Sequence, residues 1–340
     1  VDGHVYALDS LTGVDLWRFD TGCPIYAWPA FADGVVYVWF VLGDLYAVES
    51  QTGEELWKFQ SWGYVTGTPV VGDGVLYFSS GDTYLYAVGD PAAVASDDLV
   101  ETSQSSEAMY RGGSQRTGVY DVEGPKRGEL LWQFTTGGVM GAAPTVVDGM
   151  AYVGSHDGFL YAVDTQTSQV KWKYDTGRAV ISTPAVGDGA IYFGSGCIGG
   201  GPQGCGDAPG SDYYFYALNL QNGQEKWRFE TGGAAVSSPL VADGLVYFGS
   251  EDQHVYALEA RTGREIWRFK TEDAVWSSPA LDNGILYIGV GCNDCGSTGN
   301  RHLYALDSQT GRELWRFETG GWVDATPAVA DGMVYVGSSD

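Results

Sequence analysis

The stretch Val236–Phe269 reads VSSPLVADGLVYFGSEDQHVYALEARTGREIWRF. It holds four short apolar runs divided by turn signals. Small residues lead into a proline; then come Asp-Gly, VYFGS, VYALE, Thr-Gly and a run carrying Trp267. Asp-Gly accepts positive φ at both central positions of a two-residue hairpin. No run keeps a helical period, so the chemistry points to strands. Four strands in about 40 residues is the size of one propeller blade.

The unit recurs along the chain. Its tryptophan returns as Trp17, Trp57, Trp132, Trp172, Trp227, Trp267 and Trp315. Its proline returns as Pro29, Pro69, Pro144, Pro184, Pro239, Pro279 and Pro327. A single sheet of this kind cannot bury both faces, so the units must stack around an axis. We label the strands A (inner, ending near the proline), B (VYFGS), C (VYALE) and D (outer, with the tryptophan). The first residues carry C and D, over 1–20, and the last carry A and B, over 322–340. The reading is an all-β, seven-bladed β-propeller of four-stranded antiparallel blades, one domain over 1–340, with a closing blade assembled from both termini.

Composition agrees. Of 340 residues 44% are hydrophobic, with 12 Trp, 22 Tyr, 13 Phe and 50 Gly, which suits pleated strands and frequent turns. The formal charge of −25 disfavours nucleic acid and anionic membrane surfaces, because phosphates would be repelled. No run of eighteen apolar residues suggests a transmembrane segment.

The pattern SSPAVxDGxVYFGSxDxxLYALxxxTGxxxWxF resembles the PQQ-like propeller repeat. That repeat is found in quinoprotein dehydrogenases, in BamB-like outer-membrane assembly proteins and in sensor domains of bacterial kinases. The resemblance covers nearly everything except about 90–128 and two loops. It is specific for fold and weak for function.

One segment stands apart. MYRGGSQRTGVY, Met109–Tyr120, is similar to an Arg-Gly motif that such proteins carry near their start. Here it lies mid-chain, behind the small, acidic stretch 90–108, which reads as a solvated linker. Residues 90–128 thus form a linker-like insertion between strands C and D of one blade, an apparent junction of circular permutation. A permuted single propeller, one period of a tandem array and a strand-exchanged filament all fit this order; the first is preferred.

Five cysteines fall on the face made by the D–A and B–C loops. Local pairing joins Cys197 with Cys205 and Cys292 with Cys295, leaving Cys23, and implies an oxidising, extracellular, cell-surface or periplasmic setting. A thiolate metal site is the competing reading. The tryptophans outside the repeat gather in one sector. They nominate Tyr26, Trp28, Trp62, Trp276, Trp322 and Asp324 as ligand-binding candidates, because aromatics at a propeller mouth stack on rings, sugars or peptide side chains. The position three before the proline, which holds Tyr26 and Asp324, varies most among the inner strands.

The resemblance also implies a PQQ- and Ca²⁺-dependent oxidoreductase as an alternative. Such enzymes hold Ca²⁺ with Glu, Asn and Asp beside a catalytic Asp, and no such group aligns here. No haem-attachment CxxCH occurs either, since Cys295 is followed by Gly296. The expectation is a non-catalytic scaffold or binding module, with no catalytic residue and no cofactor. Its partner is a protein, a glycan or a neighbouring copy of itself.

Overall fold

The computed structural model describes residues 3–22, 29–39, 43–72, 74–91, 108–196, 213–291 and 301–339. Among these, six sheets contain four consecutive antiparallel strands in the order A-B-C-D. Sheet 1 is Ala30–Ala32, Val35–Trp39, Asp44–Glu49 and Glu55–Gln60. Sheet 2 is Val70–Gly72, Val75–Ser79, Tyr84–Gly89 and, beyond the insertion, Glu129–Thr135. Sheet 3 is Thr145–Val147, Met150–Gly154, Phe159–Asp164 and Val170–Asp175. Sheet 4 is Ala185–Gly187, Ala190–Gly194, Tyr213–Asn219 and Glu225–Thr231. Sheet 5 is Leu240–Ala242, Leu245–Ser250, His254–Glu259 and Glu265–Lys270. Sheet 6 is Ala280–Asp282, Ile285–Val290, His302–Asp307 and Glu313–Glu318. The chain is an all-β propeller, and Tyr110–Gly112 forms a single helical turn.

The A–B hairpins turn as the sequence dictates. Asp148 and Gly149 have φ of 50° and 70°, Asp243 and Gly244 of 52° and 74°. Both left-handed positions are needed, and Asp-Gly supplies them at low cost. Strand A differs from expectation. Its ladder begins just after the proline instead of ending near it: Ala185 pairs with Tyr192, Leu240 with Tyr247. Proline has no N–H to give a ladder, and the residues before it spend their hydrogen bonds elsewhere, as described below.

Hydrophobic cores lie between successive sheets. Tyr247, Trp267 and Val255 of sheet 5 pack with Leu281, Leu286 and Tyr304 of sheet 6. The same pattern joins sheets 4 and 5 and sheets 3 and 4. The strand D tryptophan latches each sheet to the next. Its Nε1–H donates to a carbonyl of the following C–D turn: Trp17 to Ser50, Trp57 to Pro125, Trp172 to Leu220, Trp227 to Ala260, Trp267 to Ser308. At Trp17, Trp172, Trp227 and Trp267 the ring lies against a turn glycine with positive φ. A Cβ on Gly263 would stand 2.6 Å from the Trp227 ring, and one on Gly311 2.6 Å from Trp267. The glycine is therefore demanded twice, by φ and by the approaching indole.

The two ends form separate two-stranded sheets. His4–Leu8 pairs with Asp15–Asp20, and Ala328–Ala330 with Met333–Tyr335. The first packs on sheet 1 through Val5, Trp17 and Phe19, the second on sheet 6 through Val329 and Val334. Among the described residues no ladder joins one half-sheet to the other. Trp315, the last latch, is 41% exposed, whereas Trp267 is 7% exposed.

The latch makes a quantitative prediction. Trp267→Ala should lower unfolding free energy by about 3–5 kcal/mol, the range for burying and then deleting a large aromatic. Trp62→Ala, at a residue 93% exposed, should change it by less than about 0.5 kcal/mol. Chemical denaturation of the two variants checks both.

Candidate functional site

The site is built from the residues around each strand A proline. Two positions before it, a serine turns back into its own sheet. Ser182, Ser237 and Ser277 accept the strand B N–H of Gly194, Gly249 and Gly289 at 2.9, 2.6 and 3.2 Å. One position before it, a hydroxyl turns to the preceding sheet. Thr183 accepts from Ala143 N–H, Ser238 from Thr183 N–H, Ser278 from Ser238 N–H, at 3.2, 3.1 and 2.9 Å. Alternate residues of an extended chain face opposite ways, so Ser-Ser-Pro serves two sheets at once. The result is a belt of hydroxyls around the axis.

Two positions after the proline, the strand A N–H faces the axis with no strand beside it. The insertion answers it. Ala108–Tyr120 enters the channel as an axial plug. Its carbonyls accept the open N–H groups: Ala108 from Val186 at 2.7 Å, Ser114 from Leu281 at 2.8 Å, Gln115 from Val329 at 2.9 Å, Gly118 from Phe31 at 3.0 Å. Met109 Sδ lies 3.3 Å from Val241 N–H. Val119–Tyr120 adds a short parallel strand to sheet 1.

Arg116 ties the plug to the prolines. It is fully buried, 0% exposed. Nε donates to Pro279 O at 3.0 Å, Nη2 to Pro239 O at 2.7 Å, and Nη1 to Tyr110 O. Burial pushes its pKa down, to about 9, which leaves it charged at neutral pH. Arg111 and Arg116 both hold φ of 58°, and at Gly118, with φ of 74°, a Cβ would be both strained and tight, 3.1 Å from Pro29 O. These left-handed arginines persist because the surroundings over-determine them. The segment 90–128 is thus more than a linker: its described part from 108 to 120 is threaded through the axis.

The plug closes the channel into a blind funnel of about 390 Å³. Tyr110 forms the floor, with Thr68 Oγ1 at 3.4 Å from its hydroxyl. The inner tier is the hydroxyl belt, Thr68, Thr183, Ser238, Ser278 and Thr326, all buried. The outer tier is the row three before the proline: Thr66, Gly141, Ile181, Val236, Trp276 and Asp324. Trp39 completes the wall. The indole N–H groups of Trp39 and Trp276 are buried and have no partner among the described residues. In the B–C loops of sheets 5 and 3, burial raises the Glu251 carboxyl to about 7 and lowers the His156 imidazole.

The sequence candidates separate. Trp276 and Asp324 meet in the funnel wall. Trp322 instead sits under the Arg301 guanidinium, 5.6 Å from its ring centre, and Trp62 stands exposed. Tyr26, Trp28 and the cysteines Cys23, Cys197, Cys205, Cys292 and Cys295 lie outside the described residues. Sequence reasoning passed over the belt, Trp39 and Tyr110; the recurrent Ser or Thr before proline was the available signal. The described lining offers one carboxylate, Asp324, and no Glu or Asn. That donor set does not match the Glu, Asn and Asp set expected around a quinone-bound Ca²⁺, and no group of three metal-ligating side chains occurs among the described residues.

Repeat, latch and funnel define a β-propeller of the PQQ-like class. The chain belongs to the family described as outer membrane protein assembly factor BamB, matched over 1–95, 115–250, 208–281 and 251–340. No curated protein matches it by sequence. The crystal structure of BamB from Moraxella catarrhalis is similar, with 17% identity, a TM-score of 0.69, and coverage of 99% of this chain and 88% of that one. A quinohaemoprotein alcohol dehydrogenase from Pseudomonas putida HK5 has 15% identity and a TM-score of 0.64, covering 99% and 68%. A europium-containing methanol dehydrogenase has 14% identity and a TM-score of 0.65, covering 98% and 78%. At these identities the likeness is one of fold.

The plug should be indispensable to the fold. Arg116→Ala strands several buried carbonyls and opens a cavity, and should cost about 3–5 kcal/mol in denaturant unfolding. A loss below about 1 kcal/mol would contradict the axial role.

Proposed function

We propose that this propeller is a non-catalytic binding and scaffold module of the cell exterior, surface or periplasm. It engages a protein partner through the D–A and B–C loop face; a glycan or a second copy are the other ligands this mouth admits. The observation that carries the reading is the blind funnel, walled by hydroxyls and aromatics with one carboxylate at its mouth. Such a wall recognises and orients, and it supplies few groups for proton or hydride chemistry. The BamB family match supports a role in protein assembly, and the fold shared with alcohol dehydrogenases keeps the oxidoreductase as the alternative.

The scaffold is a closed ring of seven blades over 1–340, with the half-sheets as its seventh. Alignment on sheet 6, where Tyr287 faces Ala305, sets Tyr335 opposite Ala7 and Met333 opposite Asp9. Trp315 then reaches Ser10 and Gly13 as Trp267 reaches Ser308 and Gly311. A Cβ on Gly13 meets nothing within 4 Å among the described atoms, so the socket has room for the indole.

Two measurements test these statements. The pair Ala7→Cys and Tyr335→Cys should oxidise to a cross-link within one monomer. A covalent ladder of multimers would show strand exchange instead, and no cross-link at all would refute the pairing. Purified protein given PQQ and Ca²⁺ should reduce no dye with alcohols or sugars, while retaining a partner from an envelope fraction that Trp276→Ala releases. Quinone-dependent turnover would overturn the binding reading.

A further inference from the structure

The funnel is polarised in a way that selects its ligand. At the inner tier the groups are donors. Thr183, Ser238 and Ser278 each accept a backbone N–H, and among the described residues no acceptor takes their own protons. Each hydroxyl can therefore donate into the cavity it lines. Beneath the floor lies the Arg116 guanidinium, 5.7 Å from the centre of the Tyr110 ring. Its partners are carbonyls of Pro279, Pro239, Ser238 and Tyr110, and among the described residues no carboxylate pairs with it. A buried charge without a counter-ion is screened less by protein than by water, so its field reaches across the Tyr110 floor. At the outer tier the order reverses. Asp324 is exposed at the mouth and is the one charged acceptor in the wall.

From this polarity we infer that the funnel binds an α-carboxylate whose neighbouring nitrogen carries hydrogen: the C-terminal residue of a peptide, or a free α-amino acid. The carboxylate enters first and accepts from the belt hydroxyls over Tyr110. Its α-nitrogen lies toward Asp324 and donates to it. The side chain packs on Ile181, Val236 and the Trp276 ring. Charge-assisted hydrogen bonds of this kind are about twice as strong as neutral ones. An anion with no donor would meet Asp324 unpaired, and an amine with no carboxylate would leave the belt donors unpaired. The inference rests on the binding reading and names the chemistry of that site.

Titration calorimetry on the unmodified protein tests it with three probes: N-acetyl-Gly-Gly-Leu with a free carboxylate, the same peptide as its C-terminal amide, and free L-leucine. The acid peptide should bind at least about tenfold more tightly than the amide, the loss expected when charge-assisted bonds go. Ser278→Ala should weaken the acid and leave the amide unchanged. Asp324→Asn, at an exposed residue that leaves the fold intact, should weaken free leucine most, because its ammonium loses an ion pair. Binding of leucine but not the acetylated peptide assigns the site to free amino acids, and the reverse assigns it to protein C-termini. Equal binding of acid and amide overturns the carboxylate assignment while the funnel stays a binding site. No heat from any probe at millimolar concentration overturns the inference, and partner capture then decides the wider reading separately.

Discussion

A propeller built from sheets set face to face leaves the inner edge of every strand A open toward the axis. Each edge holds N–H and C=O groups, and buried backbone groups without partners cost about 1–3 kcal/mol apiece. Around this axis that requirement decides much else. The belt serves the residues before the prolines, and the plug serves those after them. Because the plug occupies the lower channel, the upper channel becomes a funnel with a floor. The site is what remains once the edges have been served.

Two kinds of interaction hold the sheets together, and they differ in reach. The tryptophan latches and hydrophobic seams join each sheet only to its neighbours, as in other repeat proteins. Their stability adds up sheet by sheet. The plug instead contacts strand A of sheets 1, 4, 5 and 6 and of the C-terminal half-sheet. It couples sheets that never touch. Arg116 adds a tie between neighbours, since one side chain bridges Pro239 of sheet 5 and Pro279 of sheet 6. A buried arginine satisfied by carbonyls trades ion pairing for geometry, because the rigid fork of donors fixes where those carbonyls must stand.

The repeat was legible because its physics is local. Asp243-Gly244 announces a hairpin, and the Trp267 strand announces a seam, within a few residues of sequence. The row holding Trp276 and Asp324 was legible through its variability, since a lining position is freed from the packing that holds its neighbours alike. Trp62 and Trp322 were not separable from Trp276 in the sequence. They stand in D–A loops, where no periodicity sets the direction of a side chain. The belt residues were seen as small when their hydroxyls mattered more. Arg116 was least legible, for its acceptors are backbone carbonyls far along the chain, and a carbonyl leaves no mark on residue identity.

The position of the plug has a consequence for biosynthesis. Residues 108–120 leave the ribosome well before Val186, Val241, Leu281 and Val329, whose N–H groups they bond. Sheets 1 and 2 can pair early, yet the arginine-bearing segment must stay hydrated until the later strands arrive. Non-local contacts of this length slow folding and prolong the exposure of unpaired edges. The nascent chain therefore passes through an interval in which its centre is synthesised but unassembled.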